Sequence, residues 1–146
     1  MKKRIDLVKV KMVRESSVMY GTRELNSPSK IADLCKTFLE DCDRENLILV
    51  CLNTKLNPTC VSTISVGSLD SSVAHPREIF KTAILSNSAY IVLAHNHPSG
   101  NSKPSKEDIN ITVRVKEGGK ILGIQLLDHI IIGDNEYTSL KEENLF

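Results

Sequence analysis

The sequence has no long apolar run, no excess of one charge and no closely spaced pair of cysteines. Its longest wholly apolar stretch, residues 47–52, covers six positions, whereas a helix that crosses a membrane needs about 20. Residues 1–4 are basic, but the mixed residues that follow lack the apolar centre of a signal peptide. We therefore expect a cytoplasmic protein with no membrane span and no export signal.

The charge balance argues against a protein dedicated to duplex DNA. The 19 lysine and arginine residues nearly match the 18 aspartate and glutamate residues, for a net charge of +1, whereas neutralised phosphates supply much of a DNA binder's affinity. One local concentration of basic residues lies near the start of the chain: Lys2, Lys3, Arg4, Lys9, Lys11 and Arg14. A solvated surface is the favoured interpretation of this group, and a nucleic-acid patch is the alternative.

The cysteines do not indicate a thiolate metal site. Cys35, Cys42, Cys51 and Cys60 are separated by 7, 9 and 9 positions, and no Cys-x-x-Cys pair is present. This spacing argues against a four-thiolate zinc site and against a zinc deaminase. We expect reduced thiols, with Cys35 and Cys51 buried.

Hydrophobic patterning predicts one α+β domain over residues 1–146, with a mixed sheet flanked by helices. Strands are predicted at 5–13, 46–53, 59–66, 89–94 and within 121–132, the last one interrupted by Asp128 and His129. The second and third of these strands are expected to be antiparallel. Helices are predicted over about 28–42, from His75 onward, and from Ser105 to the pair Gly118–Gly119.

The stretch after the strand at 89–94 carries the candidate chemistry. His95 and His97 are two residues apart, so in extended backbone their imidazoles point to the same side. Asp108, one turn into the next helix, can bring a carboxylate to the same point. Two nitrogens and one oxygen make a three-ligand zinc site whose fourth position is open to water, which is the arrangement of catalytic zinc.

The same residues also have a purely structural interpretation. A His-x-His pair at a strand end is often polar surface, and Ser105-x-x-Asp108 is the pattern of a helix capping box. On spacing alone the two interpretations stay equally open. The order of strand, His-x-His, loop and Ser-x-x-Asp helix favours the metal site, and Ser105 can cap the helix while Asp108 binds a metal.

Several segments together resemble the JAMM motif of the MPN/JAB metalloproteases and, more closely, the bacterial RadC family. They are His95-x-His97-Pro98 followed by Ser105-x-x-Asp108, His75-Pro76-Arg77-Glu78, and residues 94–100 and 127–133. The resemblance runs from about residue 5 to the end of the chain. It implies an MPN/JAB fold with a three-layer arrangement like that of cytidine deaminase. RadC proteins commonly carry an N-terminal helix-hairpin-helix region, for which this chain has no room, so a link to DNA repair gains little support.

The resemblance also implies the chemistry of a zinc hydrolase acting on peptide or isopeptide bonds in a peptide or protein substrate. His95, His97 and Asp108 match the metal ligands, and Ser105 matches the residue that stabilises the oxyanion. The general base of the family is a glutamate at the start of a strand. Glu45 matches that place, with Glu40 and Glu78 as competitors.

Alternative functions are a DNA-repair-associated nucleic-acid-binding accessory protein without hydrolase activity and a catalytically silent scaffold. A structural strand residue is the favoured interpretation of His129, and orientation of a metal ligand is its alternative. The oligomeric state, a homodimer included, is left open by the sequence.

Overall fold

A computed structural model describes residues 1–21, 23–67 and 74–146, which contain three helices and a five-stranded mixed sheet. In chain order the elements are α1 (Pro28–Leu39), β1 (Asn46–Leu52), β2 (Pro58–Val66), α2 (Pro76–Leu85), β3 (Tyr90–Asn96), α3 (Lys106–Leu122), β4 (Gln125–Ile132) and β5 (Tyr137–Ser139). The strand order is β2-β1-β3-β4-β5, and β3 and β4 are parallel while the other pairs are antiparallel. The predicted α+β class, the mixed sheet and the antiparallel pairing of β1 with β2 are confirmed.

The central strands β1 and β3 are apolar because both of their faces are covered. Ile48 and Val50 point towards α1, where they pack in one cluster with Cys35. Leu49 and Leu93 point the other way and pack with α2 and α3 residues in a second cluster. The helices thus form layers on both sides of the sheet, which is the expected three-layer arrangement.

Helix α1 begins as predicted but ends earlier. The Ser27 side chain caps its first turn and Pro28 occupies the first helical position, a position that proline's missing N–H suits. The helix ends at Leu39, the last buried residue of its apolar stripe, rather than near residue 42. Acidic residues follow at once, and negative charge near a helix C-terminus is unfavourable because the macrodipole is negative there.

Helix α3 passes through the glycine pair that was expected to end it. Gly118 lies against the ring of Phe80, where an added Cβ would be 3.1 Å from a ring carbon, and a Cβ on Gly119 would collide with the carbonyl of Ile124. The two glycines therefore serve close packing. The helix ends instead at Gly123, whose φ of +71° is the left-handed conformation of a helix terminus.

Strand β4 is continuous through Asp128 and His129, so the expected interruption is wrong. Asp128 is buried and accepts hydrogen bonds from the Ser139 hydroxyl at 2.6 Å and the His129 N–H at 2.7 Å. These partners satisfy the carboxylate inside the sheet. The irregularity lies just before it, where Leu127 has no partner in the register with β3. The short strand β5, which supplies Ser139, was not predicted.

The strand predicted at residues 5–13 is also wrong for this structure. Residues 1–21 contain no helix or strand, and all of them are exposed. The local pattern is that of a strand, but a strand needs a neighbour to bond its backbone groups and cover its apolar side chains. No such neighbour contacts this segment among the described residues.

Two expectations from composition can be compared with the fold. All four cysteines are free, and Cys35 and Cys51 are buried as predicted. Within the described part of the chain, no helix combines the length and hydropathy needed to cross a bilayer.

Candidate metal centre

Three elements meet at one end of the central strands. β3 carries His95 and leads directly to His97, α3 carries Asp108 in its first turn, and Glu45 immediately precedes β1. Because β1 and β3 are antiparallel and Leu47 pairs with His95, the start of β1 lies beside the end of β3. One nitrogen or oxygen atom from each of these four side chains lies within 4.8 Å of the other three.

The two histidines and the aspartate form a tight triangle of potential ligand atoms. His95 Nε2 lies 3.0 Å from His97 Nε2 and 3.2 Å from Asp108 Oδ1, and His97 Nε2 lies 3.3 Å from Asp108 Oδ2. Bonds of about 2.0–2.1 Å in a tetrahedral zinc site place neighbouring ligand atoms about 3.3 Å apart. These separations are close to that spacing, with each histidine nearest a different oxygen of Asp108, so the three groups have the dimensions of a zinc site. Glu45 Oε1 lies farther out, 3.6 Å from His95 Nε2.

The hydrogen bonds of His97 fix which of its nitrogens is available to a metal. Its Nδ1 lies 2.7 Å from the backbone oxygen of Asn101. A carbonyl oxygen only accepts, so we assign the proton of the neutral ring to Nδ1. The lone pair of Nε2 then points towards His95 and Asp108.

A buried chain of hydrogen bonds likewise places the proton of His95 on Nδ1. The Thr112 hydroxyl donates to the backbone oxygen of Asp108 at 2.6 Å, so its oxygen accepts from His129 Nδ1, also at 2.6 Å. His129 Nε2 is then an acceptor, and His95 Nδ1 donates to it at 2.7 Å. Burial lowers the pKa of His129 well below its ordinary value, in keeping with a neutral ring in this chain. The lone pair of His95 Nε2 is left facing the triangle.

With their protons on Nδ1, His95 and His97 both direct an Nε2 lone pair into the cluster. Two nitrogen lone pairs face each other across 3.0 Å next to a carboxylate, an arrangement that is repulsive until a cation lies between them. Two imidazole nitrogens and a carboxylate oxygen are also the ligand types that zinc accepts in catalytic sites. The donor set of His95, His97 and Asp108 therefore fits zinc.

The two carboxylates of the cluster differ in their environment. For Asp108, burial acts to raise the pKa, but a His95 ring that binds a second proton, on Nε2, and the N–H of Ser105 together outweigh it, so in the metal-free chain the pKa lies well below its ordinary value. For Glu45, burial is the largest influence and raises the pKa, and the nearby charge of Asp108 acts in the same direction. Asp108 is therefore the stronger anion, whereas Glu45 binds a proton more readily.

Asn96 holds the backbone on both sides of Glu45. Its side-chain oxygen accepts from the N–H of Asn46 at 2.8 Å, and its amide nitrogen donates to the backbone oxygen of Arg44 at 3.0 Å. Since Asn96 lies between His95 and His97 in the chain, one residue links the position of the glutamate to that of both histidines.

Ser105 caps the helix that carries Asp108. The Asp108 N–H donates to Ser105 Oγ at 3.1 Å, and the Ser105 N–H donates to Asp108 Oδ2 at 2.8 Å, which completes the capping box. Asp108 therefore takes part in the capping box and in the cluster of potential metal ligands at the same time. The Ser105 side chain is exposed, and its hydroxyl hydrogen finds no acceptor among the described residues.

The loop between His97 and Ser105 is held by the turn between β4 and β5. Gly100 has a φ of +87°, and a Cβ there would lie 2.5 Å from Asp134 Oδ2, so only glycine fits. The Ser102 N–H donates to Glu136 at 2.9 Å, and the His97 N–H donates to the Ile132 carbonyl at 2.9 Å. These contacts fix the loop that bears the acceptor of His97.

The competing glutamates lie outside the cluster of potential ligands. Glu78 is 44% exposed and pairs with Lys81 at 2.9 Å on the first turn of α2. Glu40 is exposed at the C-terminus of α1. Of the three glutamates considered from the sequence, the structure brings only Glu45 to the histidines.

Comparison with known proteins agrees with this geometry. The family model described as the RadC-like JAB domain matches residues 25–145. The chain belongs to this family. Among similar curated proteins are UPF0758 proteins from Desulfitobacterium hafniense, 54% identical over 121 residues, and from Clostridium beijerinckii, 52% identical over 122 residues. These matches cover 83% and 84% of this chain but 53% of each relative, so the chain spans about half the length of the curated relatives it matches.

Within this RadC-like JAB domain, sequence reasoning missed the residues that support the cluster. Asn96 and Thr112 are not among the predicted site residues, and a structural strand residue is the interpretation that the sequence favours for His129. Thr112 carried no sequence signal. The position of Asn96 between two candidate ligands was a usable signal, and so was the polar pair Asp128–His129 inside an apolar strand, because buried polar residues need specific partners.

Proposed function

We propose that this chain is a zinc-dependent hydrolase that cleaves peptide or isopeptide bonds. The observation that carries the proposal is the convergence of His95 Nε2, His97 Nε2 and the Asp108 carboxylate to separations of 3.0–3.3 Å, with Glu45 beside them. Membership of the RadC-like JAB family supports the same proposed function. The activity, the identity of the metal and the substrate belong to the proposal.

In this proposal His95, His97 and Asp108 hold the zinc ion. Zinc bound by three protein ligands supplies a Lewis acid and lowers the pKa of a coordinated water to about 7. The His129–Thr112 chain keeps His95 in the tautomer that can bind metal, and the Asn101 carbonyl does the same for His97.

Glu45 is the proposed general base. It is only 23% exposed and lies 3.6 Å from a proposed ligand atom, close enough to reach a water molecule held in the cluster. Its raised pKa makes it a better proton acceptor than an ordinary surface carboxylate. After taking the proton from water, Glu45 delivers it to the nitrogen of the leaving amine.

Ser105 is the proposed oxyanion donor. Its oxygen is already used to accept the Asp108 N–H, which orients the side chain beside the cluster. Its O–H remains available to donate to the oxygen of the scissile carbonyl as negative charge develops there. A single such donor is worth about 3 kcal/mol in the transition state.

The metal site is tested by measuring zinc content and zinc affinity after reconstitution of the full chain. We expect about one zinc per chain, with binding lost in His97→Ala and in Asp108→Asn. Asp134→Asn is the matched control, because Asp134 is an exposed carboxylate outside the cluster. Absence of zinc from the reconstituted wild-type chain would refute the proposal. Hydrolysis is measured with paired fluorogenic peptide and isopeptide substrates.

The alternative of a nucleic-acid accessory protein stays a prediction. It is tested by a gel shift at low salt with a variant in which Lys2, Lys3, Arg4 and Lys9 are neutralised. A salt-sensitive shift that this variant loses would support it, since phosphate contacts depend on salt.

A further inference from the structure

The first 21 residues expose most of the large apolar side chains found at the surface. Ten of the sixteen exposed large hydrophobic residues among the described residues lie in this segment: Met1, Ile5, Leu7, Val8, Val10, Met12, Val13, Val18, Met19 and Tyr20. Ile5 and Leu7 are essentially fully exposed, at 96% and 102%. Apolar groups concentrated in this way mark a surface that is covered in the functional state.

Residues 8–12 of this segment have the pattern of a strand that is covered on one face. Val8, Val10 and Met12 alternate with Lys9 and Lys11. In extended backbone these three apolar side chains share one face and the two lysines share the other. The valines also favour extended structure.

The outer edge of β2 can accept such a strand. β2 is the first strand of the sheet, and among the described residues nothing pairs with its outer side. Its nine residues contain no charged side chain, and only Ser65 is buried. Its irregular pairings with β1 lie near its two ends, which leaves residues 60–63 in regular register.

Natural proteins protect exposed edge strands with charge, short length or cover. The other edge of this sheet, β5, is protected by its length of three residues. β2 has no charge, is three times as long, and carries proline only at its first position. The outer edge of β2 therefore lacks these protections, and we expect another strand to pair with it.

The N-terminal segment leaves the domain beside the turn that leads into β2. Leu25 is buried, and its N–H donates to the carbonyl of Leu56 at 2.9 Å, in the turn that leads into β2. The segment thus starts from a fixed point beside β2 but does not pair with β2 of its own chain.

We propose that residues 5–13 add as a strand to the outer edge of β2 in a second copy of this chain. Each copy donates one segment and accepts one, so the exchange closes as a twofold dimer and leaves neither edge open. Backbone hydrogen bonds along β2 provide the pairing, and the face formed by Val8, Val10 and Met12 provides the apolar cover. This inference does not depend on the proposed hydrolase function.

The test is the mass of the full chain in solution, measured by light scattering over a dilution series. We expect twice the 16.2 kDa of one chain. Val10→Pro removes a backbone N–H from the strand and fixes its φ, and since Val10 is exposed the domain itself is left intact. This variant should be monomeric. Lys3→Pro, the same change outside the strand, is the matched control and should remain dimeric.

Hydrogen exchange of β2 separates strand exchange from other modes of association. We expect amides of residues 60–63 to be protected in the wild-type dimer and less protected in Val10→Pro. A dimer that persists in Val10→Pro would overturn the proposal. So would a monomeric wild-type chain, whether its segment pairs with its own β2 or binds a DNA fragment through its lysines.

Discussion

The two faces of the central sheet are alike along most of their length and differ at one end. On the α1 face, Ile48, Val50 and Val92 form an apolar surface that ends at Asn96, whose amide bonds to backbone. On the opposite face, Leu49 and Leu93 lead to His95 and the candidate metal centre. Neighbouring residues of one strand thus take different roles, because the α3 helix begins only on the second face and brings Asp108 with it.

The difference predicts that changes on the two faces separate catalysis from stability. Changes on the His95 face should alter zinc binding or hydrolysis while the chain stays folded. Changes on the α1 face should lower the free energy of unfolding while the folded chain still binds zinc.

The largest effect is expected for Glu45→Gln. The amide keeps the size of the side chain but cannot accept the proton from water, so we expect the rate of hydrolysis to fall by about 10²–10⁴. Zinc content should stay the same. Glu40→Gln and Glu78→Gln are matched controls that should retain full activity. Normal activity in Glu45→Gln would show that Glu45 is not the general base.

A large effect on stability, with none on zinc binding, is expected for Ile31→Ala. Ile31 is 4% exposed in the core between α1 and the sheet. Truncation of a buried isoleucine lowers the free energy of unfolding by about 2–5 kcal/mol, measured by denaturant titration. Zinc affinity at temperatures where the variant is folded should be unchanged. Ile121→Ala, at an 86% exposed position, should have little effect on either quantity.

A smaller effect is expected for His129→Leu, which removes the hydrogen-bond acceptor of His95 Nδ1. Loss of a group that orients a metal ligand lowers metal affinity by about 10–100-fold. Competition with a chromophoric chelator measures this. Ile130→Val, at the next position on the other face, should leave zinc affinity unchanged. Wild-type affinity in His129→Leu would show that His95 does not need this partner.

The smallest effect is expected for the free energy of unfolding at alkaline pH, through Cys35 on the α1 face. Burial, with a contribution from Asp128, raises the pKa of the Cys35 thiol from 9.0 to about 12. Above pH 9 the unfolded chain ionises this thiol and the folded chain does not, so the free energy of unfolding falls with rising pH. The contribution of one such group is about 1.4 kcal/mol per pH unit between these two values.

The measurement is the free energy of unfolding from pH 8 to 10.5 for the wild-type chain and Cys35→Ala. The variant should be less stable overall because of the cavity it creates, but its stability should decline less steeply above pH 9. Equal slopes for the two proteins would contradict a raised pKa at Cys35.

Patterns that arise from local periodicity were predictable from the sequence. The apolar run of β1, the capping signal at Ser27-Pro28 and the His-x-His pair after a buried strand identified elements close to those observed. Strand geometry and helix position made a convergence of His95, His97 and Asp108 possible, and the order of these segments along the chain favoured it over a purely structural interpretation. These features depend on residues that are near one another in the chain.

Features that depend on distant partners were not predictable in the same way. Residues 5–13 have strand periodicity but no neighbour in the structure, and Gly118–Gly119 lie inside α3 because Phe80 and Ile124 approach them. Glu45 was matched to the general base of the family only through the resemblance, since its distance to His95 depends on the pairing of β1 with β3.

The clamp formed by Asn96 has a consequence for how such a site would work. One amide joins the residues flanking Glu45 to the segment that bears both histidines, so the position of the glutamate is fixed directly relative to that of the histidines. The proposed catalytic groups would therefore be in place before any substrate arrives. In the proposed hydrolase, selection among substrates would then rest on which chains can reach Glu45 and His97, the partly exposed members of the cluster, rather than on completion of the cluster by the substrate itself.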